Sequence, residues 1–559
     1  MSDLVKYQGR WVALTEEERV VAVGDDPAEA RRFAEVAHPA SRLTVAWVSP
    51  HEPYVPLPAW PLQDIRTVLA GEDVWLAGGP VRDLLMGELP HDWDFATAGS
   101  GLALARRVAD ALDGAYYALD RERGTGRAVV MEPGTEAPIT IDFAELRGDD
   151  LVEDLRARDF TINAMAMTLE GELIDPTGGQ QDLANRRLTM THPRSFQDDP
   201  VRLLRAVRFA VRLSLTIEAE TRNHIVTEAP SIEHAAAERA REELTRLFAN
   251  GGASAGLVLL TDLGLVDYLL PEIGHLRSVP LPETGPYAHA LAQTLALVAT
   301  TELLLNALPR DTIADPTTDH AAPGWAWREL LKMLCPLQDG LVRHLSVVLS
   351  AGVRRKDLLT WAAAFYLAGA ATDVPQNHAP QADGTTTTLI AQPATSAALA
   401  ERRLRALRFS NKAVEYVTRV VSERMRFAQF VENRSANERD AQERRAIYRF
   451  YRETKESGIA IVLLALAWVL ATKAEELDPD WWREQLEAAG ELLDAYLNAR
   501  AEVVSPTPIL SGRELMALGV PEGPAIGELL EELREAQAAG EVETLDEARD
   551  YVAARAADR

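Results

Sequence analysis

Val74-Trp-Leu-Ala-Gly-Gly-Pro-Val-Arg-Asp83, followed closely by His91-Asp-Trp-Asp-Phe-Ala-Thr97, is the stretch that decides the fold of this chain. An apolar run ends in Gly78 and Gly79, and Pro80 suits the first position of a helix, so the first part reads strand, tight turn, helix. Asp92 and Asp94 stand two apart in a second strand, which places both carboxylates on one face. Carboxylates converging on one point repel each other unless a cation sits between them. The free amides at the helix start form an anion site, and a triphosphate fits between amides and metal. No Gly-x-x-x-x-Gly-Lys-Ser/Thr run occurs. That excludes a P-loop and favours two magnesium ions acting on a nucleoside triphosphate. Taken alone, the same residues also suit a βα turn carrying two surface aspartates.

The 559 residues allow three to five domains, and 47% hydrophobic content is enough for real cores. A single cysteine, Cys335, excludes a disulfide framework, and with no signal-like N-terminus the reading is cytoplasmic. The longest apolar run, Gly458 to Ala471, is short for a bilayer span and reads as a buried helix, with no membrane partner. The formal net charge of -27 means that any polyanion must be held by focused positive potential. Basic clusters stand at Arg202, Arg205, Arg208 and Arg212, at Arg402, Arg403, Arg405 and Arg408, and at Arg444, Arg445, Arg449 and Arg452. Each also reads as one solvated helix face.

Three ordered motifs carry a family resemblance: Gly78-Gly-Pro-Val-Arg-Asp83, Asp92-Trp-Asp94, and Arg158-Asp-Phe-Thr-Ile-Asn-Ala164. With them the chain resembles the class II tRNA CCA-adding nucleotidyltransferases and bacterial poly(A) polymerases. The likeness continues through Asp175-Pro-Thr-Gly-Gly179, Asp198-Asp-Pro-Val-Arg202 and Glu238-Arg-Ala-Arg-Glu-Glu-Leu244. It returns at Gly512-Arg-Glu-Leu-Met516 and Pro524-Ala-Ile-Gly-Glu-Leu-Leu530. It is dense over residues 60 to 250 and looser elsewhere.

The resemblance implies an α+β fold: a polymerase-β-like nucleotidyltransferase head with a mixed sheet, then an all-helical neck, body and tail. Residues 1–56 read as a small α/β module, with strands at Trp11–Leu14, Val20–Val23 and Leu43–Val48 and a helix over Pro27–Ala37. Pro50–Pro61 reads as a linker, 60–190 as the head, and 191–255 as the neck with a base-reading helix. The body spans 256–440, and the tail, a candidate RNA-binding part, 441–559. Pro309–Pro323 and Asp373–Thr388 are polar, Pro/Asp/Thr-rich breaks that read as mobile loops.

By the same resemblance, Asp92 and Asp94 bind Mg²⁺ and, with Asp142 of Ile139-Thr-Ile-Asp-Phe143 as third carboxylate, carry catalysis. Asp142 would hold the metal next to the RNA 3′-hydroxyl and help take its proton. Gly78, Gly79, Arg82, Arg158, Asp159, Asn163, Asp199, Arg202, Arg205 and Arg208 form the nucleotide site, with Arg82 on phosphate and Asp159 and Asn163 facing the sugar. Other readings are an ion pair for Arg82-Asp83 and a turn for Asn163. A second arginine often precedes Arg158 in the family; here Ala157 stands there.

Asp199 and Arg202, at i and i+3, are expected side by side on a helix, offering an acceptor and a donor in fixed order. Cytosine and adenine both match that order, whereas uracil sets its O4 against the carboxylate. The plainer reading is a helix start, with Asp198 as cap and Pro200 in the first turn. The implied activity is template-independent addition of CMP and AMP, from CTP and ATP, to tRNA 3′ ends. Alternatives are poly(A), CC-only or A-only addition, or a silent RNA-binding scaffold; the oligomeric state stays open.

Residues 285–430 loosely resemble a metal-phosphohydrolase helical domain that needs a His-Asp pair. Tyr366 and Leu367 stand at the matching positions, and Arg424-Met425 replaces a His-Met pair, leaving His289 alone. No hydrolase activity is expected.

Overall fold

The computed structural model describes residues 10–15, 20–24, 27–37, 44–48, 60–90, 92–132, 138–281, 286–308, 323–350, 352–370, 392–434, 440–473 and 477–556. His91, most of the linker 50–61, and the breaks 309–322 and 373–388 lie outside them. Two compact units divide at Glu228/Ala229.

In the first unit, β1 (Arg10–Leu14) lies between β2 (Val20–Gly24) and β3 (Thr44–Val48) in an antiparallel sheet. Helix α1 (Pro27–Ala37) covers it, packing Ala30 and Ala34 on Trp11, Ala13 and Val45. After α2 (Leu62–Val68) comes the head: β4 (Val74–Ala77), α3 (Gly79–Leu85), β5 (Asp92–Thr97), α4 (Gly101–Ala111), β6 (Ala115–Asp120), β7 (Thr125–Met131) and β8 (Pro138–Glu145). Next follow α5 (Leu151–Arg156), β9 (Ala166–Met167), β10 (Leu173–Ile174) and α6 (Gly179–Ala184).

The head sheet runs β10-β9-β4-β5-β8-β7-β6. Of its pairs β5 and β8 are parallel and the others antiparallel, so the sheet is mixed as expected. Alternation gives each strand two faces. Trp93 and Phe95 of β5, Ile141 and Phe143 of β8, and Ala128 and Val130 of β7 face the core, where the Phe95 and Phe143 rings stack at 5.0 Å. Burying each such side chain contributes about 1.5–3 kcal/mol. Helix α4 lies close on this face: a Cβ at Gly101 would meet the Phe143 carbonyl oxygen at 2.5 Å. The alternate positions Asp92, Asp94, Asp142 and Arg127 are left on the opposite face.

Helices α7 (Ser195–Asp198) and α8 (Val201–Arg212) belong to this unit although they lie in the expected neck. Aromatic packing shows why: Phe160 meets Phe196 at 6.3 Å and Phe209 at 6.0 Å. The region after Asp198 is not wholly helical, since Arg187–Leu188 pairs with Thr216–Ile217 and Val348–Ser350 with Val353–Arg354.

The second unit is helical around Gly458–Thr472, which packs against Ala290–Ala307, Arg355–Ala364 and Pro479–Asn498. Together with the helix before it, that segment forms a continuous Ala441–Thr472, long and apolar enough to cross a membrane, as is Ala290–Ala307. The apolar run is therefore part of a longer helix than its own length suggests. Burial of 72% of its apolar window marks a core helix. The C-terminal helices close a separate small core of Leu510, Leu515, Leu529, Leu533 and Val552.

The basic clusters of this unit are largely spent on ion pairs. Arg445, Arg449 and Arg452 meet Glu535, and Arg445 also meets Glu541. Arg402 and Arg403 share buried Glu272, and Arg405 pairs with Glu401.

Candidate active site

Parallel register sets Asp94 of β5 directly beside Asp142 of β8, and antiparallel register sets Asp142 directly beside Arg127 of β7. Two register positions away, Asp92 stands beside Thr140, whose hydroxyl donates to the Asp92 carboxylate. Arg127 holds Asp142 with both arms, Nε to Oδ1 and Nη2 to Oδ2, each at 2.7 Å. The Asp142 hydrogen bond in turn holds the Arg127 guanidinium above its ordinary pKa.

Crowding shows in Asp94, pushed from 3.8 up to about 6 by desolvation, then by the Asp142 and Asp92 charges, against the pull of Arg158 and Arg127. The Asp94 side chain nonetheless keeps access to solvent on this face of the sheet. A cation placed here would remove the repulsion. Among the described residues no three His, Cys, Asp or Glu side chains already converge into a metal cage.

The turn beneath this face depends on Gly78. Its φ of 79° is left-handed, and a Cβ there would meet Arg158 Nη1 at 2.6 Å. Arg158 thus lies against bare backbone where α3 begins, steered by Asp154, which accepts from its Nε and Nη2 at 3.1 and 2.9 Å. Arg82 makes the expected ion pair with Asp83 at 2.6 Å and also donates to Asn163 Oδ1 at 2.7 Å.

From Asn163 the chain of contacts continues inward. Asp159 Oδ1 accepts from Asn163 Nδ2 at 3.1 Å and from the Phe160 amide at 2.8 Å, while Oδ2 accepts from Arg205 at 2.7 Å. Burial pushes the Asp159 carboxyl up, but the Arg205 charge and hydrogen bond, Asn163 and the Phe160 amide together hold it below the ordinary value. Both oxygens are already engaged, so Asp159 orients Asn163 and Arg205 rather than facing a sugar freely. Phe209 serves as a shared platform, with Arg82, Arg205 and Arg208 stacked on its ring at 5.3, 5.2 and 4.2 Å.

The pair Asp199 and Arg202 needs correction in its geometry. Asp199 sits in extended backbone between α7 and α8, not on a helix, and its carboxylate accepts from the Val201 amide at 3.3 Å. Asp198 ends α7 instead of capping α8, which starts after Pro200. Arg202 is buried and donates to the Ala157 carbonyl at 2.9 Å, the Arg158 carbonyl at 3.3 Å and Ser195 Oγ at 2.9 Å. It ties α8 to the Arg158-Asp159 turn. Arg208 is buried as well, so this basic cluster is not one solvated face, although Arg212 at its end is exposed.

In the second unit the expected ligand positions hold a packed cluster. Tyr366 stacks on Trp468 at 4.5 Å, with the Arg424 guanidinium 4.6 Å over its ring. Burial pushes the Tyr366 hydroxyl up to about 12. Leu367 is buried, and His289 caps Ala290–Ala307 by accepting from the Ala292 amide at 3.1 Å.

Arg127 was not legible as a site residue in the sequence. The one available clue was an arginine in a strand pattern whose alternate positions, Gly126, Ala128 and Val130, are small or apolar.

This head, with its carboxylate row on a mixed sheet, is that of a nucleotidyltransferase, and residues 74–189 match the poly(A) polymerase head domain. Residues 214–276 match the probable RNA- and SrmB-binding site of polymerase A, and 3–50 a family of unknown function. The chain is 30% identical to the A-adding tRNA nucleotidyltransferase of Deinococcus radiodurans over 85% of this chain and 94% of that protein. It is 31% identical to the CC-adding tRNA nucleotidyltransferase of Thermus thermophilus, over 86% and 93%. The solved CCA-adding enzyme of Bacillus stearothermophilus with CTP shares the fold, with a TM-score of 0.53 and 20% identity over 89% of this chain and 98% of that one. The chain belongs to the tRNA nucleotidyltransferase and bacterial poly(A) polymerase family, and it is a nucleotidyltransferase.

Proposed function

We propose that the enzyme adds CMP and AMP, from CTP and ATP and without a nucleic-acid template, to the 3′ end of tRNA in the cytoplasm. The observation that carries this reading is the row Asp94–Asp142–Arg127 beside Asp92, adjoining an Arg158-lined turn and the Arg82–Asn163–Asp159–Arg205 chain. The carboxylates, Arg82, Arg158 and the Asp199–Arg202 segment, to which we assign phosphate binding and base reading, lie in one unit.

Asp92 and Asp94, with Asp142, are the residues that would hold Mg²⁺, whose accumulated negative charge fits a divalent oxygen-liganded ion. When bound, the metal would neutralise the carboxylate row and stabilise charge on the transferring phosphoryl group. The protein's own work is positioning. Asp142 helps take the proton of the RNA 3′-hydroxyl as its oxygen attacks the α-phosphorus of CTP or ATP and pyrophosphate leaves. Arg82 and Arg158 steer the triphosphate, Asn163 meets the sugar, and Asp159 locks Asn163 and Arg205 in place. Asp199, with Arg202 turning from the carbonyls of Ala157 and Arg158, reads the amine edge shared by cytosine and adenine. Arg205 and Arg208, stacked on Phe209, complete the cationic wall.

A second reading, addition of C alone or A alone, is favoured by the two relatives that span most of the chain, one A-adding and one CC-adding. Labelled CTP and ATP offered on tRNAs ending at the discriminator base, at C and at CC separate the two. Extension of all three to CCA supports the first reading, and extension of a subset supports the second. No extension of any of them rejects both.

A further inference from the structure

We propose that Arg127 is a positioning residue that keeps Asp142 closed to free divalent cations and yields it to a cation arriving with a nucleoside triphosphate. The inference rests on the reading of Asp92, Asp94 and Asp142 as metal ligands. Both oxygens of Asp142 are engaged by one guanidinium, at 2.7 Å each. A planar fork of this kind fixes the carboxylate orientation as well as its charge. The third carboxylate therefore faces along the sheet toward Arg127.

The strand cannot withdraw that guanidinium. Gly126 lies so close to α4 that a Cβ would meet Ala105 Cβ at 2.7 Å and the Gly101 carbonyl oxygen at 3.0 Å. Ala128 and Val130 are buried on the same side. Alternation then holds Arg127 on the carboxylate face, while its side chain is 35% exposed and retains room to swing.

Charge supplies the selectivity. A bare dication entering beside Arg127 meets a fixed positive charge as well as the three carboxylates, and must displace the guanidinium to use Asp142. A metal–triphosphate complex carries net negative charge, is attracted to the same guanidinium, and offers it phosphate oxygens in exchange for Asp142. Occupancy of the full metal site then becomes coupled to the nucleotide, a linkage between two ligands in which each strengthens the other.

The test is Mn²⁺ binding to the full-length protein, followed by the electron paramagnetic resonance of the free ion, with and without CTP and with no RNA present. In the unaltered protein CTP should tighten Mn²⁺ binding well beyond what CTP alone binds in solution. Arg127→Met should tighten Mn²⁺ binding without nucleotide by about tenfold or more, from loss of the competing charge, and change binding with CTP by less than about threefold. Arg127→Gln carries the same expectation and serves if the Met variant does not fold. Weaker or unchanged Mn²⁺ binding in these variants, with Asp142→Asn still weakening it, overturns the role given to Arg127. If Asp94→Asn and Asp142→Asn leave Mn²⁺ binding unchanged, the metal-ligand reading itself fails.

Discussion

Lowering the pH from 7 to 5 should weaken divalent-cation binding at the head about tenfold, and Asp94 is the reason. Its carboxyl is raised from 3.8 to about 6 by desolvation and by the Asp142 and Asp92 charges, against Arg158 and Arg127. With that value about nine-tenths of the molecules carry an ionised Asp94 at pH 7 and about one-tenth at pH 5. A carboxylate at the ordinary value would stay more than about nine-tenths ionised at both. If the cation binds the ionised form, its affinity follows that fraction, and binding near pH 6 expels about half a proton per site.

The sign runs the other way for stability. A raised carboxyl costs the metal-free fold stability as the pH climbs from the ordinary value through about 6, so the cation should stabilise most at neutral pH. Mn²⁺ titrations at pH 5, 6 and 7 measure the affinity, and calorimetry in two buffers of different ionisation heat counts the protons. Affinities at pH 5 and 7 within twofold of each other, or no proton release at pH 6, would refute the reasoning. Asp94→Asn should abolish nucleotide transfer while leaving tRNA binding largely intact.

Arg202→Ala should lower selectivity against UTP and GTP more than tRNA affinity, with a loss of about 1–3 kcal/mol for the partners left unpaired. Unchanged nucleotide preference, measured by competition among the four triphosphates, would confine Arg202 to its bonds with Ala157, Arg158 and Ser195. Arg205→Ala strands the buried Asp159 carboxylate and should cost about 3–5 kcal/mol in urea unfolding at pH 7. Asp159 is held below its ordinary value, so its contribution is present above the unfolded value and lost as pH falls through the folded one. The variant's acid limb should be shallower, and a cost under about 1 kcal/mol would contradict this. In the second unit, the Tyr366–Trp468–Arg424 cluster should give no hydrolysis of 2′,3′-cyclic phosphate with Mn²⁺, Ni²⁺ or Mg²⁺; turnover by pure protein would overturn that assignment.

The sequence by itself determined the strand–turn–helix at Val74–Leu85 and the shared face of Asp92 and Asp94. These follow from local rules: glycine at a left-handed turn, period-two alternation, proline at a helix start. The family resemblance carried by the three ordered motifs implied the mixed α+β head and pointed to Asp142, Arg158 and Asn163 as site residues. What it could not determine were pairings between residues far apart in the chain. That Asp142 lies between Asp94 and Arg127 is set by strand register, and register depends on which strands meet. The i, i+3 spacing of Asp199 and Arg202 suggested one helix face, but Pro200 starts α8 between them and leaves Asp199 in extended backbone. Runs of arginine looked alike in sequence. Tertiary packing alone separated those buried on Phe209, as Arg208 is, from those neutralised by Glu272 or Glu535, because a charge's role depends on the partners the fold brings to it.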